Sequence, residues 1–119
     1  MSSHLFVVDD KPNFVRLVKV VLEHEGFEVM PFSSGHEALK SLADPISPNP
    51  AAIVLDLNMP DIDGREFYRR AREVGFGEPV LILSAYGAEE ARRELGAEAA
   101  VSKPFDPREL TSTLQSLLP

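Results

Sequence analysis

Apolar residues along the chain fall into two kinds of pattern: short unbroken runs, and longer stretches in which they recur every three or four positions. His4 to Val8 (HLFVV), Phe27 to Phe32, Ala51 to Leu55, Pro79 to Leu83 (PVLIL) and Glu98 to Ser102 are of the first kind. Their length and β-branched content predict five strands. Between the first two, Phe14, Leu17, Val18, Val21 and Leu22 line one face of a helix that Pro12 opens and Gly26 closes. Ser34-Gly35-His36-Glu37 is a capping pattern ahead of a second helix, with Ala38, Leu39 and Leu42 buried and Asp44-Pro45 as its end. The proline-rich stretch Asp44 to Pro50 is an exposed connector.

Asp63-Gly64-Arg65-Glu66 caps a third helix, which Phe67, Ala71 and Val74 bind to the core. Ala88 to Leu95 is a short, charged fourth helix ended by Gly96. Asp106-Pro107-Arg108-Glu109 opens a fifth, with Leu110, Leu114, Leu117 and Leu118 as its apolar stripe. Strands alternating with helices, through connectors too long for hairpins, predict an α/β fold with a parallel sheet covered on both faces. Residues 1–119 are expected to form one domain, with no linker or second domain.

Composition narrows the function. There is no cysteine, which excludes disulfides and thiolate metal sites. With 12 Lys+Arg against 19 Asp+Glu, the formal charge of -7 argues against direct nucleic-acid binding by this domain. No apolar run is long enough to span a bilayer and the N-terminus lacks a signal-peptide layout, so a cytoplasmic protein without membrane contact is expected.

The candidate chemistry lies where the strands stop. In a doubly wound sheet ligands collect beyond the carboxyl ends of the strands. The first strand ends at Asp9-Asp10, the third at Asp56, the fourth at Ser84 and the fifth at Lys103-Pro104. Connectivity alone therefore brings carboxylates, a hydroxyl and an ammonium to one edge. Clustered carboxylates need a counter-charge, which Lys103 and a divalent cation can supply. A small set of hard oxygen ligands suits Mg²⁺ better than zinc. Such a site fits phosphoryl transfer, with Asp56 as nucleophile and Ser84 and Lys103 set to engage phosphoryl oxygens.

Singly, these residues say less. Asp9-Asp10 alone reads as a helix cap, Ser84 as a turn residue, Lys103 as a surface lysine and Asp63 as a cap only. Phe14, Phe67 and Phe105 read as core residues, and Arg69, Arg70 and Arg72 as a solvated helix face. His4, His24 and His36 show no metal-ligand spacing, and Lys11 either meets an incoming phosphodonor or screens the acidic pair.

Taken together, the acidic pair, LDLNMPDIDG, LILSAYG and the KPF of Val101 to Phe105 resemble the receiver domain of two-component response regulators over essentially the whole chain. The resemblance implies a flavodoxin-like (βα)5 fold with strand order 2-1-3-4-5, and phosphorylation of Asp56 by a histidine kinase or histidine phosphotransfer protein. It also implies Mg²⁺ held by Asp10, Asp56 and the main-chain carbonyl of Asn58, with Asp9 acting through water, and a cis Lys103-Pro104 bond. The domain would be regulatory, catalysing only its own modification. Two features depart from the family. Ala100 stands where an aromatic is usual, and the segment from Ser84 to Lys103 is short, which makes Tyr86 the candidate replacement reporter and the fourth helix weakly held. Two other functions are compatible with these residues: a Mg²⁺-dependent phosphohydrolase with an aspartyl-phosphate intermediate, and a binding module that has lost phosphorylation.

Overall fold

The computed structural model describes residues 3–119, as five strands alternating with five helices. In chain order these are β1 (His4–Val8), α1 (Pro12–His24), β2 (Glu28–Phe32), α2 (Gly35–Ala43), β3 (Ala52–Leu55), α3 (Gly64–Glu73), β4 (Val80–Ser84), α4 (Ala88–Leu95), β5 (Ala99–Ser102) and α5 (Pro107–Leu117). The sheet order is β2-β1-β3-β4-β5 and every pairing is parallel. This is the flavodoxin-like arrangement, whose strand order reverses between β1 and β3.

Alternation along the strands divides the core in two. Leu5 and Val7 of β1, Val54 of β3 and Leu81 and Leu83 of β4 point to the layer formed by α1 and α5, meeting Val15, Val18, Leu22, Leu110 and Leu114. Phe6 and Val8, Ile53 and Leu55, and Val80 and Ile82 point the other way, to Ala38, Leu42, Phe67, Ala71, Ala88 and Ala91 of α2, α3 and α4. Because β1, β3 and β4 are covered on both faces, they read as continuous apolar runs. Phe67 is fully buried, and truncating such a ring to alanine costs about 3–5 kcal/mol.

Some helix faces differ from the periodicity. Leu17 is 52% exposed and Val74 48% exposed, so neither belongs to the core; Val15 and Tyr68 are buried in their stead. The helical stripe selects neighbouring positions, but the elements packed against it decide how wide a stripe is covered. Arg72 is not a solvated residue either. Its guanidinium lies 4.8 Å from the centroid of Tyr68 and donates to the carbonyls of Phe76 at 2.9 Å and Glu78 at 2.8 Å. It also pairs with Glu98, which in turn accepts the Val80 N–H, so Arg72 joins α3 to the starts of β4 and β5. Among the described residues no helix is long and apolar enough to cross a membrane.

Candidate functional site

The ladder of the sheet runs on into the residues that follow the strands. The Asp9 N–H donates to Phe32 O at 3.1 Å, the Asp56 N–H to Val8 O at 2.9 Å and the Lys103 N–H to Ser84 O at 2.9 Å. Each functional side chain thus leaves a backbone that is already hydrogen-bonded to a neighbouring strand. This precision matters because a misplaced reacting group loses rate steeply.

Asp9, Asp10 and Asp56 converge as the sequence predicts, each offering a carboxylate oxygen within 4.8 Å of the others. Two like charges about 4 Å apart repel by roughly 4 kcal/mol at an effective dielectric near 20. Lys103 offsets part of this, with Nζ 2.8 Å from Asp9 Oδ2 and 3.4 Å from Asp56 Oδ1. The Lys103–Pro104 peptide is cis, as the resemblance implies. Asp9 is fully engaged, since its other oxygen accepts the Lys11 N–H at 2.9 Å.

Asp56 is not. It is buried, and its Oδ2 has no hydrogen-bond partner; Ser84 Oγ shares that condition, and among the described residues these are the two buried side-chain oxygens left without one. A buried polar atom without a partner is costly, so such atoms mark a site built for something that arrives later. Burial, and next the charge of Asp9, push the Asp56 carboxyl above its ordinary value, against the lowering effect of Lys103 and Lys11.

Asp10 is only partly buried, and its Oδ1 lies 3.4 Å from the exposed ammonium of Lys11. Lys11 thus pairs with Asp10 through its ammonium and with Asp9 through its N–H. Three converging carboxylates, one with an orphaned buried oxygen, form a hard-oxygen donor set that fits Mg²⁺. Asn58 follows two residues after Asp56 and is exposed. Tyr86 is 82% exposed, whereas Ala100 is partly buried against the α2, α3 and α4 side of the core.

Two parts of the neighbourhood escape sequence reasoning. Phe14 does more than pack: its ring is partly buried against the α1 and α5 side of the core, and Lys103 Nζ lies 4.0 Å from its centroid. Asp61, in the loop after β3, accepts from Ser34 Oγ at 2.7 Å and from the His36 N–H at 3.1 Å, while Ser34 itself caps α2 through the Glu37 N–H. Asp61 therefore supplies a second cap from across the chain. Burial raises its carboxyl, but the His36 N–H, the Ser34 hydroxyl and the N–H groups of Ile62 and Gly35 outweigh that and bring it down to about 2. Nothing local in the sequence announces a partner 27 residues away.

Comparison with known proteins agrees with this geometry. Residues 5–115 match the model of the response regulator receiver domain. The chain is 36% identical over 121 residues to the alkaline phosphatase synthesis transcriptional regulatory protein PhoP of Bacillus subtilis, covering 99% of this chain and 49% of that protein. It is 37% identical over 121 residues to the transcriptional regulatory protein SrrA of Staphylococcus aureus, covering 99% and 48%. The chain thus spans about half the length of the curated relatives it matches. Among solved structures, response regulator TrrA from Thermotoga maritima in complex with Mg²⁺-BeF superposes with a TM-score of 0.83 at 32% identity, covering 99% of this chain and all of that one.

Proposed function

This chain belongs to the response regulator receiver domain family of two-component systems, and from that premise we propose that Asp56 accepts a phosphoryl group from a phosphohistidine of a partner kinase or phosphotransfer protein. Residues 1–119 act as one cytoplasmic receiver domain that catalyses only its own modification. The observation that carries the reading is the buried Asp56 carboxylate at the strand ends, whose Oδ1 meets the Lys103 ammonium while its Oδ2, like the buried Ser84 Oγ, has no partner.

In the step proposed, Asp56 Oδ2 forms a bond to phosphorus as the bond from phosphorus to the imidazole nitrogen breaks. The electron pair stays on that nitrogen, and because the other ring nitrogen carries a proton the partner histidine leaves as neutral imidazole. Ser84 Oγ donates its hydrogen to one phosphoryl oxygen, and Lys103 moves its charge from Asp9 toward another. Asp10, Asp56 and the carbonyl of Asn58 would hold Mg²⁺, and Asp9, whose oxygens are already occupied, would act through water. When bound, that ion supplies positive charge opposite the phosphoryl oxygens. The neutral Asn58 side chain, standing where a second acid would serve a phosphohydrolase, favours a persisting acyl phosphate.

Output passes through the segment from Ser84 to Gly96. With Ala100 too small to swing, Tyr86 reports on Ser84, and α4, held by Ala88 and Ala91 with Leu95 only partly buried, changes order. Incubation with Mg²⁺ and acetyl phosphate followed by intact mass tests the central claim. A single stable adduct, absent in Asp56→Asn, is expected. Phosphate release without an adduct indicates a phosphohydrolase, and neither outcome indicates a binding module; an adduct retained in Asp56→Asn overturns the assignment. Unchanged amide exchange from Ser84 to Gly96 on adding beryllofluoride overturns the output route.

A further inference from the structure

We propose that Phe14 is a positioning residue, whose ring face holds the Lys103 ammonium between Asp9 and Asp56 and thereby sets how fast Asp56 is modified; this rests on the reading of Asp56 as phosphoryl acceptor. An ammonium carries three N–H donors. Around Lys103 Nζ stand Asp9 Oδ2 at 2.8 Å, Asp56 Oδ1 at 3.4 Å and the Phe14 ring with its centroid at 4.0 Å. The ring occupies a side of the ammonium that would otherwise meet water. Its face is electronegative, and with the Lys103 side chain only 13% exposed the attraction is weakly screened.

The ring is itself held. Phe14 lies in the first turn of α1, after Pro12, and meets Phe105 edge-on at 5.7 Å and 86°. Phe105 follows Lys103 by two residues, so the lysine and the ring that steadies Phe14 come from one short stretch. An aliphatic side chain would fill much the same space without attracting a cation. A hydrogen-bond acceptor there would attract the ammonium but tether it in one direction. A ring face does neither: the ammonium can slide from Asp9 toward a phosphoryl group on Asp56 while remaining over the same aromatic surface. Without the ring, the flexible four-carbon stem of Lys103 samples outward rotamers, and the ammonium spends less time between the carboxylates.

The test replaces Phe14 in the full chain by 4-fluoro-, 3,5-difluoro- and 3,4,5-trifluorophenylalanine, which keep ring size while draining charge from its face, and adds Phe14→Trp and Phe14→Leu. Two quantities are read: the rate of adduct formation with acetyl phosphate and Mg²⁺, and the NMR shift of the Lys103 ε-methylene protons. The rate is expected to fall stepwise with fluorination, by roughly tenfold at the end of the series. Phe14→Leu should be as slow as the trifluoro form and Phe14→Trp as fast as wild type. The ε-methylene protons should show an upfield ring-current shift that vanishes in Phe14→Leu. A flat fluorination series overturns the proposal, because packing alone would then explain the residue. An unshifted wild-type ε-methylene also overturns it. A wild type that forms no adduct overturns the acceptor reading instead, and the NMR shift still decides whether the ring holds the ammonium.

Discussion

Gly64, the first residue of α3, lies against the main chain of Asp56. A Cβ placed on it would overlap the Asp56 carbonyl oxygen and come within 2.7 Å of Leu57 Cα. The Gly64 N–H also donates to Leu57 O at 2.8 Å, so the start of α3 and the end of β3 behave as one rigid piece. Here glycine is required for space, not for an unusual dihedral. Gly64→Ala must push the two backbones apart, at an expected cost of about 2 kcal/mol. For a domain of this size that lowers the melting midpoint by about 8 °C. Adduct formation at Asp56 should slow in parallel, because the displaced backbone is the one that aims the carboxylate. Thermal unfolding and intact-mass kinetics check both.

Ser84 leads to the opposite sign for stability and function. Its Oγ is fully buried without a partner, a cost that the resting fold carries. Ser84→Ala removes the hydroxyl and is expected to leave the resting protein unchanged or up to about 1 kcal/mol more stable. On the proposed reading, the phosphorylated state of the variant lacks the hydrogen bond from Ser84 Oγ to the phosphoryl group. Urea midpoints with and without beryllofluoride separate the two: the stabilising increment from the analogue should shrink in the variant while the resting midpoint does not fall.

How much of this was legible in the sequence follows from the kind of interaction involved. All five strands and helices were readable because each depends on local period and punctuation, and α4 begins and ends at the expected Ala88 and Leu95. Asp9, Asp10, Asp56, Ser84 and Lys103 were readable as a group because a parallel sheet delivers every strand end to one edge. Leu17 and Val74 failed because periodicity gives the centre of a helical stripe and not its width. Arg72 failed because the rings and carbonyls that hold it come mostly from the turn after α3 and from Glu98. The roles of Phe14 and Asp61 depend on side chains that tertiary folding alone brings near, Lys103 in one case and Ser34 in the other.

Asp61 predicts an acid dependence. Its folded value, near 2, lies below the ordinary carboxylate value, so its contribution is fully present above about pH 4 and is lost as pH falls toward 2. The group is partly accessible, and after solvent screening the contribution is roughly 1 kcal/mol. Asp61→Asn should therefore be less stable than wild type by about that amount at pH 7, and the difference should close between about pH 4 and pH 2. Urea unfolding at a series of pH values checks this. A gap that persists unchanged at pH 2 would assign the effect to lost packing between the loop and α2 instead of charge.

Asp56 predicts a dependence of the reverse sense. Burial and the charge of Asp9 raise its carboxyl in the folded state, so the ionised side chain weighs against folding at neutral pH. That burden fades as pH falls through the folded value, where the side chain takes up a proton. Asp56→Asn keeps the shape and removes the charge, and in EDTA at pH 7 it should melt several degrees above wild type. The difference should shrink as pH falls toward the folded value of Asp56, because the wild type is then progressively relieved. Millimolar Mg²⁺ should also narrow it, since a ligand that binds only the folded state stabilises wild type in proportion to the logarithm of its concentration over Kd. Asp56→Asn, with one carboxylate fewer, gains less. A wild type that melts above Asp56→Asn in EDTA at pH 7 would mean that Lys103 more than compensates the clustered charge, and the site would then be built for stability at rest and not for a phosphoryl group yet to arrive.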